Sequence, residues 1–135
     1  MVPALLSKTD KPLREATVHH SINGSFAIRQ ANWKLCFCPG SGGWSAPRPN
    51  RDETTGMPAV QLFDLAGDIG EQKNLQADKP EIVARLTQLM EKYVTEGRST
   101  TGSPQKNAVA VNFHSGEHLP SPAAKAKNKA KAKTK

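Results

Sequence analysis

Polar and hydrophobic residues alternate with period two over residues 25–38 and recur at the helical period over residues 82–94; these two patterns organise the chain. Phe26 and Ile28 alternate with Ser25, Ala27 and Arg29, and Trp33, Leu35 and Phe37 alternate with Lys34, Cys36 and Cys38. Each run has the spacing of a strand with one buried face. Gln30-Ala31-Asn32 has the length of a hairpin turn, with Asn32 the residue expected to adopt the left-handed backbone. Upstream, Thr17 and Val18 favour a strand from Ala16 to His20, and Asn23-Gly24 supplies a turn able to take positive φ. Downstream, Val60 to Leu65 reads as another strand, closed by turn residues from Gly67 to Glu71.

In the second pattern, Ile82, Val83, Leu86, Leu89, Met90, Tyr93 and Val94 form one helical stripe. Asp78 and Glu81 have the spacing of a capping box, and Pro80 suits the first turn. Glu81 and Arg85 stand at i,i+4, and Gly97 is placed as a C-cap. Burying this stripe at about 25 cal/mol per Å² is worth on the order of several kcal/mol, more than its caps, so the helix should lie across the sheet. The fold class is therefore α+β: a small antiparallel sheet of 3–4 strands packed against one C-terminal helix.

Around this unit the pattern fades. Residues 1–15 hold Pro3 and Pro12 with no sustained periodicity and read as an irregular lead-in. Residues 39–59, rich in glycine and proline, read as a long ordered or semi-ordered loop. The packed domain is expected over residues 16–107. Residues 108–135 are expected to be a disordered tail rich in Lys and Ala.

Charge changes this picture less than its total implies. The 135-residue chain carries a net charge of +7, but six lysines, from Lys125 to Lys135, lie in its last eleven residues. Without them 13 basic residues face 12 acidic ones, so the body is nearly neutral. A polyanion-binding protein acting through the Lys-rich tail by counterion release is the alternative functional class. That tail has no aromatic residue for base readout, so no specific nucleic-acid partner is expected. No stretch approaches the roughly 18 apolar residues of a membrane span, so no membrane partner is expected. The opening Met-Val-Pro-Ala-Leu-Leu-Ser-Lys lacks the basic start and long apolar middle of a signal peptide, and the cysteine pair leaves the compartment open.

The densest chemistry lies in "FAIRQANWKLCFCPGSGGWS", residues 26–45. Cys36-x-Cys38 lacks the second pair of a zinc site, although His19, His20, His114 and His118 could be invoked; small apolar cysteines on a sheet face are the simpler reading. Gly40-Ser41-Gly42-Gly43 is followed by Trp44-Ser45-Ala46-Pro47 rather than the Lys and helix of a phosphate loop. Ser41 lacks the G-x-S-x-G setting of a nucleophile elbow. His19-His20 remains a candidate, since adjacent strand residues point to opposite faces and one could reach a cleft. No catalytic, metal-binding or cofactor-binding residue is assigned in this chain.

Residues 62–75, "LFDLAGDIGEQKNL", resemble the L-(Y/F)-D-L-x-x-D-x-x-E-x-x-N-L segment near the C-terminus of sulfatases. Leu62, Phe63, Asp64, Leu65, Asp68, Glu71, Asn74 and Leu75 are all in register with it. "FAIRQANWKL" is similar to the family hairpin ending R-x-G-x-(W/Y)-K-L, and "DKPEIVARLTQLMEKYV" is similar to its closing helix. Ala31-Asn32 replaces the usual turn glycine, and Ile69-Gly70 stands where the family often has proline. The arylsulfatase resemblance implies an alkaline-phosphatase-like sulfatase C-terminal subdomain. It further implies sulfuric ester hydrolysis by the full-length enzyme, with formylglycine and calcium supplied by a catalytic domain and a sulfate ester as substrate. Family members are often exported or periplasmic. The C-x-P-x-R motif that yields formylglycine is absent here: neither Cys36 nor Cys38 has proline two residues on or arginine four residues on. This chain is thus expected to be inactive alone and to pair with a sulfatase catalytic domain, encoded upstream in the same gene or separate. By the same resemblance, His19, His20, Ser41, Gly43 and Trp44 would line the substrate cleft.

Overall fold

In a strand, side chains two apart share a face, and that rule assembles the sheet of this protein. A computed structural model describes residues 14–48 and 52–114; the Lys-rich tail and most of the expected lead-in lie outside the described residues. Strands β1 (Thr17–His20), β2 (Phe26–Gln30), β3 (Trp33–Cys36) and β4 (Gln61–Asp64) form an antiparallel sheet in the order β1-β2-β3-β4. Val18 pairs with Ile28, Ile28 with Leu35 and Leu35 with Leu62, giving one row across the sheet. Ile28, Leu35 and Leu62 are fully buried. One residue along, His19, Ala27, Cys36 and Gln61 form the equivalent row on the opposite face.

Gln30 pairs with Trp33, so the β2–β3 turn is Ala31-Asn32 alone. Gly24 takes positive φ in the β1–β2 turn as expected, but in the second turn the left-handed residue is Ala31, with φ 52°, and not Asn32. Asn32 is held by β4: its Nδ2 donates to Asp64 Oδ1 at 2.5 Å, and its carbonyl accepts the Leu65 amide at 2.8 Å. This anchoring leaves the unfavourable dihedral to the alanine.

The segment from β4 to the helix has little regular structure, and its polar side chains supply the bonds that a ladder would. Asn74 Oδ1 accepts the Leu62 and Gln76 amides, both at 3.0 Å, and its Nδ2 donates to the Val60 carbonyl at 3.3 Å. Asp68 accepts the Gln72 and Lys73 amides at 3.0 and 2.9 Å, and these bonds hold its carboxyl below the usual range. Asp64 accepts the Ala66 amide at 3.1 Å, and Glu71 accepts both its hydrogen bonds from Lys34. Each polar residue of the Asp64–Asn74 motif thus has a structural partner.

Helix α1 (Pro80–Glu96) packs across the sheet with Leu86, Met90 and Tyr93 buried. Ile82, Val83, Leu89 and Val94 pack around them at the margin of the same cluster, as the stripe predicts. The expected capping box does not form. Lys79, not Asp78, is the N-cap and makes no side-chain cap bond. Pro80 accounts for this, since it drives the preceding residue out of the helical region and so fixes Lys79, one position past Asp78, as the N-cap. The Leu75 carbonyl instead accepts the Asp78 and Lys79 amides at 3.1 and 2.9 Å. Arg85 bonds to Gln30 Oε1 on β2 rather than to Glu81. At the other end Gly97 is the C-cap in the left-handed conformation, φ 64°.

Packing extends past residue 107. Phe113 is buried and meets Phe37 edge-on at 4.8 Å between ring centroids. In the sequence Val109, Val111 and Phe113 alternate at period two, but the segment forms no strand.

Leu86→Ala should cost about 2–5 kcal/mol by urea titration, and Leu86→Asp should abolish the cooperative transition. Ala31→Gly should raise stability by about 0.5–1 kcal/mol, because relief of the left-handed alanine outweighs the entropy that glycine adds to the unfolded chain. Asn74→Ala should destabilise by about 1–3 kcal/mol, since it leaves the Leu62 amide and the Val60 carbonyl without their partner.

Candidate functional site

With α1 covering one face, the other face of the sheet carries a groove of about 350 Å³. Its floor is built by period two: Ala27 and Arg29 from β2, with Lys34 and Cys36 from β3. His19 stands beside Ala27 on β1. The walls come from the β1–β2 turn, with Ser21 and Ser25, and from the loop after β3, with Ser41 and Gly42. Leu65 and Glu71 of the β4–α1 segment close the far side.

The charges are arranged asymmetrically. Lys34 Nζ lies 2.6 and 2.8 Å from the two Glu71 carboxylate oxygens, so this pair is neutral overall and clamps the irregular segment onto β3. Arg29 donates through Nε to the Ala31 carbonyl at 3.1 Å and has no carboxylate partner among the described residues. Among the described residues that line it, the groove consequently holds one uncompensated positive charge from Arg, Lys and Glu side chains.

Both cysteines are free thiols. Burial pushes the Cys36 thiol up to about 12; Lys34 partly opposes the shift, and Cys38 and Glu71 add to it. Burial also raises Cys38, partly countered by a hydrogen bond from the Ser25 side chain. Neither is poised as a nucleophile at neutral pH. Among the described residues, no group of three or more His, Cys, Asp or Glu is placed to hold a metal ion. Glu71 is the groove's sole carboxylate and is already clamped by Lys34, so the donor set does not fit a calcium ion. The register and protonation of the cysteines do not fit formylglycine chemistry.

The sequence-predicted cleft residues separate into two groups. His19, His20 and Ser41 line the groove. The His20 ring also lies 5.7 Å from that of Phe26, and its Nδ1 is 3.0 Å from the Ser21 carbonyl. Ser41 Oγ donates to the Ser45 carbonyl at 2.6 Å and accepts the Gly43 amide at 3.2 Å, so it braces its own loop. Gly43 and Trp44 do not line the groove. The Gly43 carbonyl accepts Asn23 Nδ2 at 3.0 Å, which ties the loop to the β1–β2 turn, and Trp44 is 72% exposed beyond it. Arg29, Lys34, Ser25 and Glu71 are among the groove residues that the sequence reading missed. For Arg29 and Lys34 the signal was present, since strand alternation places them on the face that turns away from Ile28 and Leu35.

Gly42 fixes the depth of the groove. Its φ is +66°, and a Cβ there would lie 2.8 Å from Cys38 Sγ. Gln61 Nε2 holds the start of this loop, donating to the Cys38 and Gly40 carbonyls at 2.9 and 2.6 Å.

No family model matches the chain. Over 94 residues it is 31% identical to an N-acetylgalactosamine-6-O-sulfatase of Bacteroides thetaiotaomicron, a match covering 67% of this chain and 17% of that protein. A solved Bacteroides thetaiotaomicron structure, from work on the metabolism of multiple glycosaminoglycans, is 29% identical, with a TM-score of 0.49. It matches over 67% of this chain and 18% of its own. The chain therefore spans less than a fifth of the length of these relatives. The matched part is a C-terminal region of the sulfatase family.

Gly42→Ala should lower the melting temperature and increase alkylation of Cys38, because the loop must move off the thiol to admit the methyl group. The raised thiols set a pH window. The Cys36 proton is held more tightly in the folded chain, so stability is full below the unfolded thiol value of 9.0 and falls as pH rises towards about 12. Urea midpoints measured from pH 7 to 11 should decline above pH 9, and Cys36→Ala should remove part of that decline.

Proposed function

We propose that this chain is the C-terminal subdomain of a sulfuric ester hydrolase, supplying a sheet-and-helix scaffold and one wall of the substrate cleft. The formylglycine nucleophile and the calcium ion would belong to a catalytic domain, encoded in the same gene upstream or in a separate chain. The observation that carries this reading is the 31% identity to a sulfatase over 94 residues, in a chain that folds as a sheet, a pinned loop and a helix. The polar residues of the sulfatase-like motif are engaged in holding that unit together, which fits a supporting role and leaves them no part in chemistry.

The role of this chain is to position and attract. His19, His20 and Ser41 would border the cleft, with Arg29 adding a positive charge that favours an anionic substrate. Low-polarity burial keeps Cys36 and Cys38 protonated and out of the reaction. The matched relative is named for 6-O-sulfated N-acetylgalactosamine, which makes a sulfated amino sugar the substrate class to test first.

The purified 135-residue chain should not hydrolyse p-nitrophenyl sulfate with or without calcium; measurable calcium-dependent turnover would overturn the supporting role. The nucleotide sequence preceding Met1, or a neighbouring gene, should encode a C-x-P-x-R motif and Asp-Asp metal ligands. Co-expression with that region should yield a complex or fusion that turns over a sulfated amino sugar, and failure of a well-folded assembly to do so would remove the sulfatase reading.

A further inference from the structure

Cys36 and Cys38 have no part in the sulfatase reading, and strand geometry puts them side by side. The β2–β3 ladder continues past Cys36, with the Phe37 amide donating to the Phe26 carbonyl at 2.8 Å. Alternation therefore turns Phe37 into the core and carries one file of side chains on the open face from Lys34 through Cys36 to Cys38. Both thiols line the same groove, Cys36 half-buried and Cys38 buried. Opposite Cys36 on β2 stands Ala27, whose methyl group leaves the space over the thiols open.

Spacing limits what such a pair can do. Two residues apart on one strand face, the Cβ atoms are separated by roughly 6.5 Å, whereas a disulfide needs about 3.5–4.5 Å. A direct S–S bond is out of reach unless β3 bends. A bridging ion relaxes this demand, since two metal–thiolate bonds of about 2.3 Å each span a sulfur separation of about 4.6 Å, which two side chains rotated towards each other attain. Donor number and charge then select the ion. Among the described residues, no third His, Cys, Asp or Glu is placed to join the pair. Zinc and calcium, which take four or more donors, are ill suited, while a soft monovalent cation accepts two thiolates in a linear arrangement. Its bis-thiolate complex carries one negative charge, and Arg29, Lys34 and Glu71 in the groove sum to one positive charge. Lys34, the next residue of the file, favours negative charge on both sulfurs.

We propose that Cys36 and Cys38 form a two-coordinate site for a soft monovalent cation of the copper(I) type, which holds the start of the loop after β3 against the strand. Loading exchanges two S–H bonds for two S–metal bonds and releases two protons to solvent, with the metal remaining monovalent. The site uses only residues of this chain and does not depend on the sulfatase reading.

Anaerobic titration of the full 135-residue chain with tetrakis(acetonitrile)copper(I), in competition with bicinchoninate, tests this. One copper(I) should bind per chain without a change of oligomeric state, and X-ray absorption of the loaded, unsubstituted chain should show two sulfur neighbours. Cys36→Ala should weaken binding by on the order of a hundredfold or more while keeping the helical circular dichroism and a cooperative melt; it is the variant of choice because Cys38 is the more buried thiol. Zinc(II) should bind about a hundredfold more weakly than copper(I). Undiminished binding by a folded Cys36→Ala chain, one ion shared between two chains, or nitrogen neighbours in place of sulfur in the unsubstituted chain would each overturn the site.

Discussion

Packing of Leu86 and Met90 of α1 into the same cluster as Ile28, Leu35 and Leu62 is the contact on which the molecule depends. All five side chains are essentially removed from water, and at about 25 cal/mol per Å² their burial is the largest favourable contribution available to so small a unit. It has a geometric consequence. A four-stranded sheet has two faces, and one helix covers only one of them. Strand alternation then delivers His19, Arg29, Lys34 and Cys36 to the uncovered face as necessarily as it delivers Ile28 and Leu35 to the core. The groove is the complement of the core, made by the same register.

Polar side chains hold what the core does not. The segment between β4 and α1 lacks regular structure; Asp64, Asp68 and Asn74 accept backbone amides, Asn74 also donates to the Val60 carbonyl, and Glu71 accepts from Lys34. A motif dense in Asp, Glu and Asn, of the sort that suggests metal or acid–base chemistry, is here engaged in structural bonds. Its acidic groups are spread along a loop and bonded one by one, not gathered around a point. The Lys34–Glu71 pair links this loop to the open face, so the groove depends on the motif without being formed by its whole length.

Belonging to a sulfatase C-terminal region gives these features a common setting. Burial raises the pKa of both thiols of the groove, Ser41 braces its loop, and Arg29 has no carboxylate partner among the described residues.

The sequence by itself determined the elements that depend on local periodicity and turn chemistry: the hairpin, the last strand, the amphipathic helix, and glycine at positions 24 and 97. It also determined the family, because the spacing of residues 62–75 reflects a particular set of loop bonds. Tertiary structure decided matters that depend on distant partners. Ala31 rather than Asn32 takes the left-handed backbone because Asn32 is bonded to β4. Arg85 reaches Gln30 across the fold instead of its helical neighbour, and Phe113 enters the core from a segment whose Val109, Val111 and Phe113 alternate without forming a strand. The groove itself could not be read along the chain, since its walls come from segments up to fifty residues apart that only strand pairing and the Asn23–Gly43 contact bring together.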